Sequence, residues 1–153
     1  MEAYGTEAIR NVVSLSHSGA GKTSLVEAML HASGAISRLG NIADGNTVCD
    51  YEPEEIDRAS SIQLALGSTE WDGVKVNWLD TPGYADFAGE VLSAIAAADF
   101  AAIVVSAVDG VEVGTEATWH QADEALLPRM IIINKMDREN ADSTRPSPRC
   151  SNV

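Results

Sequence analysis

Apolar positions along the chain alternate between two periods. Ile9, Val12, Val13 and Leu15 make a short apolar run that predicts a buried strand, and Leu25, Val26, Met29 and Leu30 then recur at helical spacing over residues 24–32. Gly34 follows where a helix C-cap belongs. Residues 33–57 are polar and rich in glycine and acidic side chains, with no period; a loop of that length in a compact domain is functional or mobile. Residues 62–66 alternate weakly as a strand, and residues 75–79 return after Trp71-Asp72-Gly73, since Asp-Gly between two such runs signals a hairpin. Residues 84–98 form an alanine-rich helical pattern with Phe87, Val91 and Ile95 four apart. Residues 100–105 are nearly all apolar, as in a parallel strand covered on both faces. Residues 115–127 predict a helix with Trp119 and Leu126 inward, ended by Pro128, and residues 130–133 a last buried strand. Residues 1–6 read as a frayed leader. The order β-α-β-β-α-β-α-β predicts an α/β fold: a three-layer α/β/α sandwich on a mostly parallel sheet with one antiparallel hairpin strand. Ligands then belong at the carboxyl ends of the strands.

Three polar segments sit at such ends. The first is Ser14-Leu15-Ser16-His17-Ser18-Gly19-Ala20-Gly21-Lys22-Thr23-Ser24. A strand runs into small residues, reaches Gly-Lys-Thr and opens a helix, which is the layout of a phosphate-binding loop (P-loop). Backbone N–H groups converge there on an anion that the helix dipole already favours. Lys22 is placed to reach the β- and γ-phosphates and the Thr23 hydroxyl to meet Mg²⁺. Ser16 stands where the first glycine of such a loop usually is. Taken alone, Gly-Lys-Thr also fits an ordinary strand-to-helix turn.

The second segment is Asp80-Thr81-Pro82-Gly83. Asp80 suits a carboxylate that holds Mg²⁺ through water, and Gly83 lets its backbone N–H approach a γ-phosphate. A plain strand-ending turn is the alternative. The third is Asn134-Lys135-Met136-Asp137. The two acceptors of an Asp137 carboxylate match the N1–H and N2–H₂ donors of guanine. Adenine would leave the carboxylate unsatisfied, a kind of mismatch that discriminates by about 10⁴–10⁵. Asn134 is placed to tie this base loop to the phosphate loop, and the Lys135 stem to cover the base. The three segments follow in order at comparable spacing, which is far more specific than any one of them.

Composition narrows the classes. A length of 153 residues with 45% hydrophobic content suits one domain with a sizeable core. The net charge of −13 argues against direct nucleic-acid binding through a basic face. Cys49 and Cys150 have no metal-ligand spacing and read as free thiols in a reducing cytosol. No signal peptide is recognisable at the N-terminus. The longest apolar stretch, residues 94–108, is broken by Asp99 and Ser106 and is not a membrane span. The expectation is a cytoplasmic chain without a membrane partner. His31 and His120 read as solvated helix residues, Glu52, Glu54 and Glu55 as a solvated loop segment, and Trp71 and Trp78 as sheet packing.

Over roughly residues 9–142 the chain resembles the N-terminal GTPase domain of translation elongation factor G, most closely its elongation factor G-like paralogues. The resemblance rests on residues 17–24, Asp50-Tyr51-Glu52-Pro53-Glu54-Glu55-Ile56-Asp57-Arg58, residues 79–87, Ala107-Val108-Asp109-Gly110-Val111-Glu112-Val113 and residues 128–140. It implies a monomeric, Mg²⁺-dependent enzyme that hydrolyses GTP to GDP on the ribosome, in translocation or a related step. Ribosomal protection proteins and class 3 release factors share the same segments. The site residues implied are Ser16 to Ser24, Asp80 to Tyr84 and Asn134 to Asp137 for the nucleotide, and Thr23, Ser61 and Asp80 for the metal. Lys22 and Tyr84 take the catalytic positions. Tyr84 replaces the family histidine that orients the attacking water; a phenol is a poorer base than imidazole at neutral pH but can still position water. Ser61 aligns with the family threonine that closes over Mg²⁺. These two departures also fit a switch module that holds GTP and hydrolyses little, and a truncated, inactive product is a third reading.

By the same resemblance, residues 1–142 form a partial GTP-binding domain that lacks the family's last strand, last helix and third base-contacting loop. Residues 143–153, rich in Pro, Ser and Arg, read as a disordered tail. Residues 130–133 then form an edge strand with bare isoleucines, an aggregation liability. The chain alone is therefore expected to melt below about 60 °C; a cooperative, monomeric calorimetric transition above that temperature would contradict the expectation.

Overall fold

The computed structural model describes residues 4–142. The expected disordered tail lies wholly outside the described residues, and the expected leader partly so. The elements are β1 (Ile9–Leu15), α1 (Lys22–Ala32), α2 (Pro53–Arg58), β2 (Ala65–Trp71), β3 (Val74–Asp80), α3 (Ala88–Ala97), β4 (Phe100–Ser106), α4 (Val113–Glu124) and β5 (Arg129–Asn134). The strands form one sheet in the order β2-β3-β1-β4-β5. β1 pairs in parallel with β3 and β4, and β4 with β5; β2 is antiparallel to β3. Helix α1 covers one face, mainly over β2 and β3, and α3 and α4 cover the other. This is the expected three-layer α/β arrangement.

The core follows the apolar runs. Val13, Leu15, Ala101, Ile103 and Val105 are buried against Val91, Ala94 and Ile95 of α3 and Ala122 of α4. On the opposite face Val26 and Leu30 of α1 meet Cys49, Ala65 and the flank of Trp78. β4 is buried along almost its whole length, as its continuous apolar sequence requires. Among the described residues no helix is long and apolar enough to cross a membrane.

Four expectations need correction. The hairpin strand runs over Ala65–Trp71, not residues 62–66, because the N–H groups of Ile62 and Gln63 are taken by the Glu55 carboxylate (2.9 and 3.0 Å) and cannot join a ladder. Trp71, 66% exposed, stands at the hairpin tip instead of packing the sheet; Asp72 and Gly73 both take positive φ there, the tight two-residue turn that pairs Trp71 with Val74. Trp78 does pack, donating Nε1–H to Thr69 Oγ1 at 3.2 Å. The helix expected over residues 84–98 is interrupted by a 3₁₀ turn, Ala85–Phe87, and α3 begins only at Ala88. Leu126 points outward, 88% exposed: α4 ends at Glu124, Leu126 is left-handed (φ 54°), and this reversal buries Leu127 in its place. Trp119 is partly buried under the Arg129 guanidinium, 4.4 Å above its ring, and Arg129 also pairs with Asp123.

β5 closes one side of the described sheet, with Met130 and Ile131 partly exposed. Ile103, 1% exposed at the centre of β4, makes the sharpest test of the packing. Ile103→Ala is expected to lower the unfolding free energy by about 2–5 kcal/mol in urea denaturation.

Candidate nucleotide site

The three polar segments converge at the carboxyl ends of β1, β3 and β5, around a cleft of about 410 Å³. β1 stops at Leu15 and α1 starts at Lys22, with Gly21 as N-cap in the left-handed region (φ 96°) and no side chain capping the helix. Gly19 is also left-handed (φ 80°). Both turns need glycine, and they leave the first-turn N–H groups of α1 open to an anion. Ser18, Gly19, Gly21, Lys22, Thr23 and Ser24 line the cleft. Ala20 is buried. Ser16 and His17 face elsewhere, into a second, mainly apolar cavity of about 440 Å³ between the Gly83–Tyr84 backbone and α4. His17 lies 3.8 Å from Glu112 there.

Lys22 is 6% exposed and donates to the carbonyls of His17 (3.1 Å) and Ser16 (3.4 Å). Burial lowers its pKa to about 8, against the pull of Asp80 and Asp50. Gly83 crosses directly over the loop: a Cβ there would fall 2.6 Å from Ser18 N and 2.7 Å from Lys22 Nζ. Thr81, behind it, is buried and donates to Ser14 O. Pro82 is also buried. Tyr84, 52% exposed, lines both the cleft and the apolar cavity.

Beside Lys22 lies a cluster of carboxylates and hydroxyls. Asp80 is 1% exposed; Ser14 Oγ donates to its Oδ1 at 2.8 Å, while Oδ2 has no hydrogen-bond partner. Ser61 Oγ lies 3.0 Å from Thr23 Oγ1 and donates to Asp50 Oδ1 at 2.7 Å. Asp50 is 3% exposed and its Oδ2 also lacks a partner. Burial raises the Asp80 pKa to about 6, partly offset by the Thr23 and Ser14 hydroxyls and Lys22. Burial raises Asp50 too, against the Ser61 hydrogen bond. Two buried, unsatisfied carboxylate oxygens beside two hydroxyls are a hard oxygen donor set of the kind Mg²⁺ takes. Among the described residues no group of three or more His, Cys, Asp or Glu converges as a metal site, so a cation here would complete its shell with water or ligand oxygens.

Sequence reasoning passed over Asp50. Its signal was weak: one acid in an acidic, aperiodic loop. Glu55 needs correction. It is not solvated but 1% exposed, because it accepts the N–H groups of Ile62, Gln63 and Glu52 and so closes α2 onto the chain that follows. Glu27 of α1 is buried for a similar reason, accepting from Gly40 and Val48.

At the end of β5, Asn134 Nδ2 donates to Ala20 O (3.0 Å) and reaches Gly21 O (3.4 Å), joining the third segment to the first. Lys135 is left-handed (φ 59°), lines the cleft and lies 3.6 Å from Asp109. Met136 and Asp137 stand on the exposed turn beyond it. His31 and His120 are exposed.

A mostly parallel sheet with a glycine-built phosphate loop on its central strand, and two further polar loops at the carboxyl ends of β3 and β5, defines a P-loop GTPase domain. Residues 7–150 match the family model of the elongation factor Tu GTP binding domain, and the chain belongs to that family. Guanine-nucleotide binding is the family's defining property. An elongation factor G-like protein of Mycobacterium tuberculosis is 44% identical over 140 residues, 92% of this chain and 20% of that protein. A mitochondrial ribosome-releasing factor 2 of Lodderomyces elongisporus is 45% identical over 136 residues, 89% of this chain and 16% of that protein. A crystal structure of a Thermus thermophilus protein superposes with a TM-score of 0.84 at 42% identity, covering 86% of this chain and 20% of that one. The chain thus spans about a fifth of the length of these relatives.

The raised Asp80 pKa sets a pH dependence. Because the folded chain holds this proton more tightly than the unfolded chain, the contribution to stability is complete below pH 3.8 and is lost as pH rises through about 6. The urea midpoint of the nucleotide-free chain is expected to fall over that window, and Asp80→Asn is expected to fall less. Parallel pH profiles would show that Asp80 does not titrate there.

Proposed function

We propose that this chain is the nucleotide-binding part of a ribosome-associated GTPase of the elongation factor G type, serving translocation or a related step of protein synthesis. The observation that carries the reading is the Asn134 bridge to Ala20 and Gly21, which locks a base-selecting loop to a phosphate loop 114 residues away in the chain. On this reading the N–H groups at the start of α1 cradle the phosphates and Lys22 neutralises the β- and γ-oxygens. Asp137 accepts from guanine N1–H and N2–H₂, and the Lys135 stem covers the base. Thr23, Ser61, Asp80 and Asp50 would hold Mg²⁺, the acids through water. That ion, when bound, offsets charge on the phosphates. The Gly83 N–H meets the γ-phosphate and Tyr84 positions the water. Hydrolysis forms a bond from water to the γ-phosphorus and breaks its bond to the β-bridging oxygen; catalysis here is mainly positioning and electrostatics. With a net charge of −13, contact with the ribosome runs through proteins or through other segments of a longer chain.

A second reading, a switch that holds GTP and turns it over slowly, is favoured by Tyr84 at the water-positioning place and by Ser61 in place of threonine. Tyr84→His separates the two: a large gain in ribosome-stimulated phosphate release by the full-length parent supports the slow switch, and equal, fast release counts against it.

The primary test is titration with fluorescent GDP and GTP, with and without Mg²⁺, competed by ATP. Mg²⁺-dependent binding that ATP does not displace is expected, and Asp137→Ala should weaken it by about 100-fold or more through loss of charged hydrogen bonds. Displacement by ATP, or no effect of Asp137→Ala, would overturn the assignment.

A further inference from the structure

We propose that Glu27 is a positioning residue that sets the cation-side groups of the site, Asp50 and Ser61, over Thr23; the proposal rests on the nucleotide reading above. Glu27 lies one helical turn after Thr23 on α1, so the two side chains project from the same face. It is 1% exposed, and its carboxylate is fully used. Oε1 accepts the N–H of Gly40 and Oε2 the N–H of Val48, both at 2.9 Å. The second of these peptides lies two residues before Asp50.

The bonds close a ring. From Thr23 it passes through Ser61 (3.0 Å) to Asp50 (2.7 Å), back along Cys49 to Val48, and through Glu27 to α1. The links on the site side are hydroxyls and a carboxylate; the return runs along two residues of backbone to the Glu27 carboxylate. Glu27 is therefore the polar contact that, beside the packing of Cys49 on Val26 and Leu30, fixes the aperiodic loop to the same helix that carries Lys22 and Thr23. The loop has been fitted to it: at Gly40 a Cβ would fall 2.5 Å from Glu27 Oε1 and 2.6 Å from Asn46 O, so only glycine lets the chain pass. Beyond the ring, Glu55 pins residues 62 and 63 next to Ser61. Held from both sides, Asp50 keeps its Oδ2 buried and unpaired, beside the equally unpaired Oδ2 of Asp80.

The chemistry requires a carboxylate. Two N–H groups face two oxygens; glutamine would turn an NH₂ toward one of them and replace an acceptor with a donor. A merely stabilising buried glutamate would, when changed, weaken nucleotide binding equally with and without a cation. A positioning residue affects only the cation-dependent part, because Lys22 and the α1 N–H groups do not depend on the loop.

The test is a titration of the whole chain with fluorescent GDP in EDTA and in Mg²⁺, together with amide hydrogen exchange. In Glu27→Gln, affinity in EDTA should stay at the wild-type value, while the gain on adding Mg²⁺ falls about tenfold, as expected for loss of a charge-assisted hydrogen bond. The Gly40 and Val48 amides should lose protection while those of α1 keep it. An unchanged Mg²⁺ gain, or equal losses in EDTA and Mg²⁺, would overturn the proposal. Failure of the wild-type chain to bind GDP at all would instead overturn the nucleotide reading, and exchange alone would then decide the tether. Should the variant not fold, the wild-type amides decide: exchange at Gly40 and Val48 as fast as in exposed loops removes the tether.

Discussion

An anion-binding loop is an unstable thing for a chain to build. Its backbone must aim several N–H groups at one point, which forces left-handed turns and leaves carbonyls without partners. Here Gly19 and Gly21 take the left-handed positions, and the carbonyl thrown outward at Ala20 is caught by the Asn134 amide, which also reaches the Gly21 carbonyl that starts the α1 ladder. The Asn134 bond fixes the distance between β1 and β5 ends, although the two strands are separated by β4 in the sheet. The close approach has a steric consequence. A Cβ on Gly21 would collide with the Asn134 amide, so the residue that shapes the loop and the residue that ties it down require each other.

The second constraint is electrostatic. Asp80, Asp50 and Lys22 are nearly out of water, and two carboxylate oxygens have no partner. Burial pushes both acids up and the lysine down, each toward its neutral form. Cys49, buried next to them, is pushed up first by burial and then by the surrounding carboxylates, so it stays a thiol. A nucleotide with its cation would reverse the penalties together: phosphate oxygens for Lys22, positive charge for the two acids. The site is unfavourable for the empty chain in the same terms in which it is favourable for a ligand.

How much of this was legible in the sequence depended on the range of the interaction. β1, β4 and β5 show as apolar runs, and the loops after them show as glycines, a lysine and paired polar groups, because strand burial and turn chemistry act within a few residues. The six residues of α2 are too few to display a period. The start of β2 was misplaced because Glu55 removes two N–H groups from the ladder. The direction of Leu126 turned on a single left-handed residue. Glu27 and Glu55 were least visible. A glutamate in a polar stretch reads as solvated, and only the fold brings it two or three unpaired N–H groups, from residues as far as 21 positions away.

Those two glutamates explain how a segment with no apolar period stays ordered. Between residues 33 and 64 few large side chains enter the core, and the hydrophobic effect alone has little to hold. Carboxylates inside the structure substitute for it by collecting backbone donors, which are the groups an aperiodic loop has in excess. Such anchoring differs from apolar packing in a useful way. It is directional, it depends on each oxygen facing an N–H, and it fails as a unit when one donor turns away. A loop held like this keeps Asp50 and Ser61 in register with Thr23 through individual backbone donors, where apolar packing would fix only its depth in the fold.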